Sequence, residues 1–186
     1  MDVAALARVA KYGGIVPVFV TFLLTGHRMF MEFNPATIPK FQHWSAIPLR
    51  LIVGYGFMAH GYAKIVNGPD HFFAILHALG VPAPQLMGWA TILIELLGGL
   101  AILTGAFVAL ASMPMAAILL VAVFTVHLPY GFSSIKLQAV TSAGTQFGQP
   151  GYELDLLYLA CLAALVLGGS GPLAIDAVRA GKSKTA

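Results

Sequence analysis

Four apolar runs, each about as long as a bilayer is thick, dominate this chain: residues 47–66, 85–107, 114–132 and 152–168. A hydrocarbon core of ~30 Å takes ~20 predominantly apolar helical residues per crossing. Composition points the same way, with 59% hydrophobic residues, 9% charged residues and a mean hydropathy of +0.85, where an ordinary soluble domain carries roughly 25% charged residues. The expected fold is therefore an all-α membrane protein built on a four-helix transmembrane bundle.

The first 45 residues stand apart. Within residues 12–26 the stretch IVPVFVTFLLTG is apolar but short, contains Pro17 and follows Arg8, Lys11 and the Gly13-Gly14 pair. It admits three placements: a fifth span, a re-entrant piece or an interfacial segment. No small-x-small cleavage pattern follows it, so the mature chain is expected to keep it. The expected organisation is an N-terminal extension over 1–45, the four-helix membrane domain over 46–178 and a basic tail over 179–186.

Orientation follows from the Lys and Arg residues, which are in excess on the cytoplasmic side. Arg28 and Lys40 precede the first span, Arg50 stands at its start, and Arg179, Lys182 and Lys184 follow the fourth. The opposite side has Lys64 and Lys136. Four spans put both basic regions on one side, so span count and charge bias agree. The expectation is an integral protein of a bacterial inner membrane with its C-terminus in the cytoplasm.

Several functional classes drop out. The lone Cys161 excludes a dithiol pair within this chain and reads as a small buried apolar residue. A net charge of +3 with scattered basic residues gives no nucleic-acid surface. There is no Gly-rich phosphate loop and no His-Glu-x-x-His or Cys-x-x-Cys motif, so neither metal nor haem is expected from this chain.

The connections differ in character. Only a tight link near residues 109–113 separates the second and third runs. Between the first and second, NGPDHFFAILHALGVPAP places Pro69 and Asp70 at a helix start and Gly80 and Pro82 at its stop. Phe72, Phe73, Leu76 and Leu79 share one face of that short helix, which should lie in the interface plane with His71 and His77 toward water. The polar, Gly-rich SSIKLQAVTSAGTQFGQPG between the third and fourth runs is expected to cover the bundle at its outer end.

Ionisable residues inside a span are costly and point to function. Glu95 lies ~15 Å down the second span, near the midplane; apolar surroundings favour the neutral acid unless a cation is close. Its plain alternative is a hydrogen-bonded tie between helices. His60 and Lys64, four residues apart, share a face of the first span, with Lys64 near enough to the outer end to snorkel to water as an anchor. The third span ends TVHLPYGF and the fourth begins YELDLLY, so antiparallel packing brings His60, Lys64, His127, Glu153 and Asp155 to one depth. Arg50, ~21 Å from Lys64 along the axis, reads as a cytoplasmic anchor or lipid headgroup contact, and Trp44 and Trp89 as interfacial belt residues. Gly54, Gly56, Gly88, Gly98, Gly99 and Gly105 read as close-packing positions.

Taken in order, PLRLIVGYGFMAHGYAKI, LGVPAP, ATILIELLGGLAILTG, FTVHLPYGF and GYELDLLYLACLAALVLGGSGPLAID resemble the DoxX family over residues 48–176. The resemblance implies a four-helix membrane bundle whose family pattern falls on His60, Gly61, Lys64, Glu95, His127, Pro129, Tyr152 and Glu153. DoxX is similar to a small subunit of a thiosulfate:quinone oxidoreductase, and the resemblance therefore implies a quinone-linked membrane complex. Tyr130 stands where the family often has Asn, which removes an amide from the third-helix motif.

On this reading the chain is a membrane subunit of a quinone-linked oxidoreductase. His60, Lys64, Glu95, His127 and Glu153 are the expected catalytic residues, and His60, Lys64, His127 and Tyr152 the expected contacts to a quinone. His60 or His127 would hydrogen-bond a carbonyl, Lys64 would stabilise negative charge, and Glu95 with Glu153 would relay protons. The expected partners are membrane lipid, quinone and a second protein, with no nucleic acid. The alternative is a non-catalytic accessory or assembly subunit that docks a partner. A transporter is the weakest reading, since nothing ionisable within the spans lies between Glu95 and the cytoplasmic face.

Overall fold

A computed structural model of the chain describes residues 42–142 and 144–183. The apolar segment at 12–26, with Arg8, Lys11, Arg28 and Lys40, lies outside the described residues, as does Lys184. After a 3-10 turn at Gln42–Ser45 come α1 (Ala46–Val66) and α2 (Pro69–Ala78). Two long helices follow, α3 (Pro84–Thr104) and α4 (Val108–Tyr130). A hairpin of β1 (Leu137–Thr141) and β2 (Gly144–Phe147) leads to α5 (Glu153–Gly168) and α6 (Ile175–Ser183).

Local chemistry explains most of these limits. Pro69 opens α2 and Pro84 opens α3, positions where the missing proline N–H has no helical partner to lose. Gly105, at φ +69°, ends α3 in the left-handed conformation that glycine tolerates. The third apolar run departs from expectation: α4 starts at Val108 rather than 114 and carries Pro114 inside it. The start is set from far along the chain, because the Asp176 carboxylate accepts from the N–H groups of Phe107 at 2.8 Å and Val108 at 3.0 Å. Those are two of the orphan donors that every helix start must satisfy.

α3 and α4 are long and apolar enough to cross a membrane, with mean hydropathies of 2.0 and 2.3. α1 has the length, 21 residues, but carries Arg50, His60 and Lys64. α5 has 16 residues, ~24 Å of helix against a core of ~30 Å. α1 packs on α3 and α5, and α4 packs on α5 and on the middle of α3. Val53 and Phe57 of α1, Ile102 of α3, Met115 and Leu119 of α4, and Leu162 and Leu165 of α5 form the shared core, with Cys161 packed against it. Large apolar side chains also face outward, among them Leu97 at 62%, Leu110 at 67% and Phe124 at 68% exposure. An apolar surface on that scale needs an apolar environment or a partner.

The closest approach of α1 and α3 is made by glycine. A Cβ on Gly54 would stand 2.7 Å from the Gly99 carbonyl oxygen and 2.8 Å from Leu103 Cβ, so the backbones would have to separate. Gly54→Ala is expected to cost about 1–3 kcal/mol, the range for an overpacked contact. Gly168→Ala, whose Cβ would meet nothing within 4 Å, should stay within about 0.5 kcal/mol. Unfolding in mixed micelles measures both, and equal effects would show that the helices do not meet there.

α2 lies against the start of α3 as its apolar face demands. Phe73 is buried and Phe72 and Leu76 half-buried, while His71 and His77 are exposed as expected and Leu79 is exposed too. Trp89 has a more specific place than a belt residue, its ring packing at 6.0 Å from that of Phe73. The Gly-rich connection forms the β-hairpin, antiparallel with a bulge between Leu137 and Ala139. At its base, Gly151, Tyr152 and Glu153 donate backbone N–H groups to Ser133, Gly131 and Phe132, which ties the start of α5 to the end of α4. The boundary placed between residues 178 and 179 falls inside α6, so the basic tail begins as helix.

Candidate functional site

Lys64 and Glu95 are the centre of the site. Lys64 Nζ lies 2.6 Å from both Glu95 carboxylate oxygens, and the two side chains are 21% and 7% exposed. Gly61 makes the meeting geometrically open, because a Cβ there would crowd Glu95 Cβ at 3.1 Å and Leu96 Cγ at 3.0 Å. The ammonium also stands 5.0 Å from the centre of the Phe72 ring on α2, a cation–π distance. Lys64 is thus turned inward to a charge rather than outward to water. The cation that Glu95 requires to remain a carboxylate is Lys64, and it is Lys64, not His60, that bonds it.

Two helical irregularities present the site. Glu95 sits in a π turn over Ile94–Gly98 of α3, and His127 closes a second over Val123–His127 of α4. A π turn inserts one residue into the helical repeat and is frequent at functional sites. His127 Nδ1 is 3.2 Å from the Pro150 carbonyl oxygen, and its Nε2 is 3.9 Å from Asp155 Oδ2.

These side chains enclose one cavity of about 370 Å³ lined by His60, Lys64, Glu95, His127, Asp155 and Tyr158, with Phe57, Leu119 and Leu154 as apolar walls. A second cavity of about 210 Å³ lies on the other side of His60 and Lys64, against His71 and Phe72. Phe57 and Tyr158 meet edge to face, with ring centres 5.6 Å apart. A Cβ on Gly56 would overlap the Tyr158 hydroxyl, so that glycine leaves the tyrosine its room.

Of the residues expected at the site, His60, Lys64, Glu95 and His127 are brought together, and Glu153 and Tyr152 are not. Glu153 Oε2 accepts from the Ser134 N–H at 2.9 Å, bracing the hairpin base. The Tyr152 ring packs on Phe132. Asp155 takes the place expected of Glu153, and Tyr158 joins it. Helical phase carried this signal: Asp155, Tyr158, Leu162 and Leu165 fall at i, i+3, i+7 and i+10, one inward face, whereas Glu153 is out of phase with it. Tyr130 does not line the cavity; Lys136 lies 5.8 Å from its ring centre.

Arg50 requires a correction. It is buried, 6% exposed, and is not a lipid-facing anchor. Its guanidinium donates to five carbonyl oxygens: Ile102 and Leu103 at the end of α3, and Ser170, Pro172 and Leu173 after α5. A planar fork with five N–H donors is suited to such a set. One end of the fold is thereby closed around Arg50, while the opposite end opens into the cavity.

The DoxX family model matches residues 45–128. No curated protein and no solved structure matches the chain. The match runs through α1 to His127 of α4, so it takes in four of the six polar side chains around the cavity, while Asp155 and Tyr158 on α5 lie beyond it. It also takes in α3 and most of α4, the two helices among the described residues that are long and apolar enough to cross a membrane. Residues 45–128 thus carry a DoxX-family domain, and that match together with the apolar helices points to an integral membrane protein.

Proposed function

We propose that α1, α3, α4 and α5 form a four-helix transmembrane bundle, and that the cavity at its outer end is the ligand site of a subunit of a quinone-linked oxidoreductase. The observation that carries this reading is the convergence of His60, Lys64, Glu95, His127 and Asp155, from four helices, on one cavity of about 370 Å³. Intramembrane ionisable groups are retained where they act. The cavity suits a quinone headgroup: Phe57 and Tyr158 supply aromatic walls, and the histidines and the tyrosine hydroxyl supply hydrogen-bonding groups, as small-molecule sites require. A bound quinone would supply an electron carrier. The residues themselves would orient it, with His60 hydrogen-bonding a carbonyl and Lys64 favouring negative charge on it.

The proposed setting is the bacterial inner membrane, with the C-terminus in the cytoplasm and the hairpin and cavity outside, and with a partner protein to pass electrons on. A second reading, an accessory subunit without catalysis, draws on the Lys64–Glu95 pair: both carboxylate oxygens are taken up, as a helix tie requires. Single replacements of His60, Lys64, Glu95 and His127, compared for quinone binding and for complex assembly in purified membranes, separate the two. Normal assembly with binding lost supports the redox site. Assembly lost, with no quinone bound even by the parent, rejects it.

A further inference from the structure

We propose that His127 is the proton acceptor of the cavity, held to that task by the Pro150 carbonyl and the Asp155 carboxylate, and that its ligand carries a weakly acidic hydroxyl on a small aromatic ring. The proposal rests on the cavity being a ligand site and names the chemistry of what it takes.

The tautomer comes first. A carbonyl oxygen only accepts, so His127 Nδ1, 3.2 Å from Pro150 O, must carry the hydrogen. In the neutral ring the lone pair is then on Nε2, the nitrogen on the Asp155 side. Nε2 stands 3.9 Å from Asp155 Oδ2, inside ion-pair range but beyond a hydrogen bond. No proton is shared between them at that distance. A proton arriving on Nε2 would create an imidazolium facing a carboxylate, in surroundings where an unpaired charge is costly.

Around His127 the cavity brings Asp155 and Tyr158 from α5, His60 and Lys64 from α1, and Glu95 from α3. Glu95 has both its oxygens engaged by Lys64. Glu153 is outside, bonded to Ser134. Among the described residues no hydrogen bond fixes the tautomer of His60. His127 alone has one nitrogen committed, the other open and a carboxylate placed to balance the charge it gains.

The step is a simple transfer. The O–H bond of the ligand breaks, an N–H bond forms at Nε2, and the electron pair stays on the ligand oxygen. Asp155 does not touch the ligand in this scheme; it is a positioning residue that makes the imidazolium affordable. The edge-to-face Phe57 and Tyr158 rings select a flat, apolar body for the hydroxyl.

The test uses 4-nitrophenol, whose anion alone absorbs in the visible, with the full chain in lipid nanodiscs and a buffer acidic to the probe's own ionisation. The parent is expected to bind the probe with an anion band, Asp155→Asn to bind it with the ionised share reduced about tenfold or more, and His127→Gln to lose the band. An undiminished band in either variant overturns the proposal. Nitrogen NMR of labelled histidine, without any probe, adds a second requirement: His127 must be protonated at Nδ1, and its Nε2 resonance must move in Asp155→Asn. An Nε2-protonated ring, or an Nε2 resonance indifferent to Asp155, overturns the proposal even if a variant folds poorly. Correct histidine signals without ionised nitrophenol overturn the ligand assignment. Failure of quinone to bind while nitrophenol is ionised rejects the quinone reading and leaves this one standing.

Discussion

Lys64→Met is expected to cost the fold about 3 kcal/mol or more, because removing one partner of a buried ion pair leaves the other charge without compensation. Glu95, 7% exposed, loses the ammonium that now lies 2.6 Å from both its oxygens. Adding Glu95→Gln to Lys64→Met should recover much of that loss, since a neutral amide leaves no orphan charge between α1 and α3. The double-mutant cycle, read by unfolding in mixed micelles, should give a coupling of about 1 kcal/mol or more. Strictly additive losses would show that the two side chains do not act on one another. The cycle also bears on function: if the double variant regains stability but binds no quinone, the pair belongs to the site as well as to the fold.

Arg50→Met should cost a similar amount, about 3 kcal/mol, for a different reason. No ion-paired acid is involved, although Asp176 loses a neighbouring positive charge; five carbonyl oxygens lose a shared charged donor, and hydrogen bonds to charged groups are each worth roughly 1.5–3 kcal/mol before relaxation. Two of those carbonyls, Ile102 and Leu103, are in the last turn of α3, where helical N–H donors run out; Ile102 also accepts from the Gly105 N–H at 3.1 Å. The other three, at Ser170, Pro172 and Leu173, fix the link from α5 to α6. That link positions Asp176 on the start of α4, so the damage should spread. Hydrogen exchange across residues 170–176 and at Val108 should quicken together. Arg50→Lys should recover only part, because an ammonium cannot reproduce the fork. A methionine variant with parental stability and unchanged protection at 170–176 would remove Arg50 from this role.

Both predictions concern residues whose type was informative and whose neighbours were not. Lys64 and Arg50 each sit near an end of α1, where a long basic side chain ordinarily reaches for water. What turns them inward is a set of acceptors brought close by packing: Glu95, 31 residues on, for Lys64, and carbonyls 52 to 123 residues on for Arg50. The start of α4 has the same character. Its first N–H groups are capped by a carboxylate 68 and 69 residues away, so no local pattern could place it. The two π turns are a further case, because one inserted residue rotates everything after it by ~100°, and the apolar runs around Glu95 and His127 show no mark of the insertion.

The sequence by itself determined where α1, α2, α3 and α5 lie. Apolar length and turn residues act locally, and α1, α3 and α5 begin within one residue of where those signals put them. It also carried the pairing of His60 with Lys64 on one face. Only the tertiary structure decided that Lys64 closes on Glu95, that Asp155 rather than Glu153 faces the cavity, that His127 is locked by Pro150, and that Arg50 is an internal clamp. Each of those depends on a hydrogen bond or ion pair across helices, and its partner is chosen by helix rotation and close glycine contacts, which residue type alone does not specify.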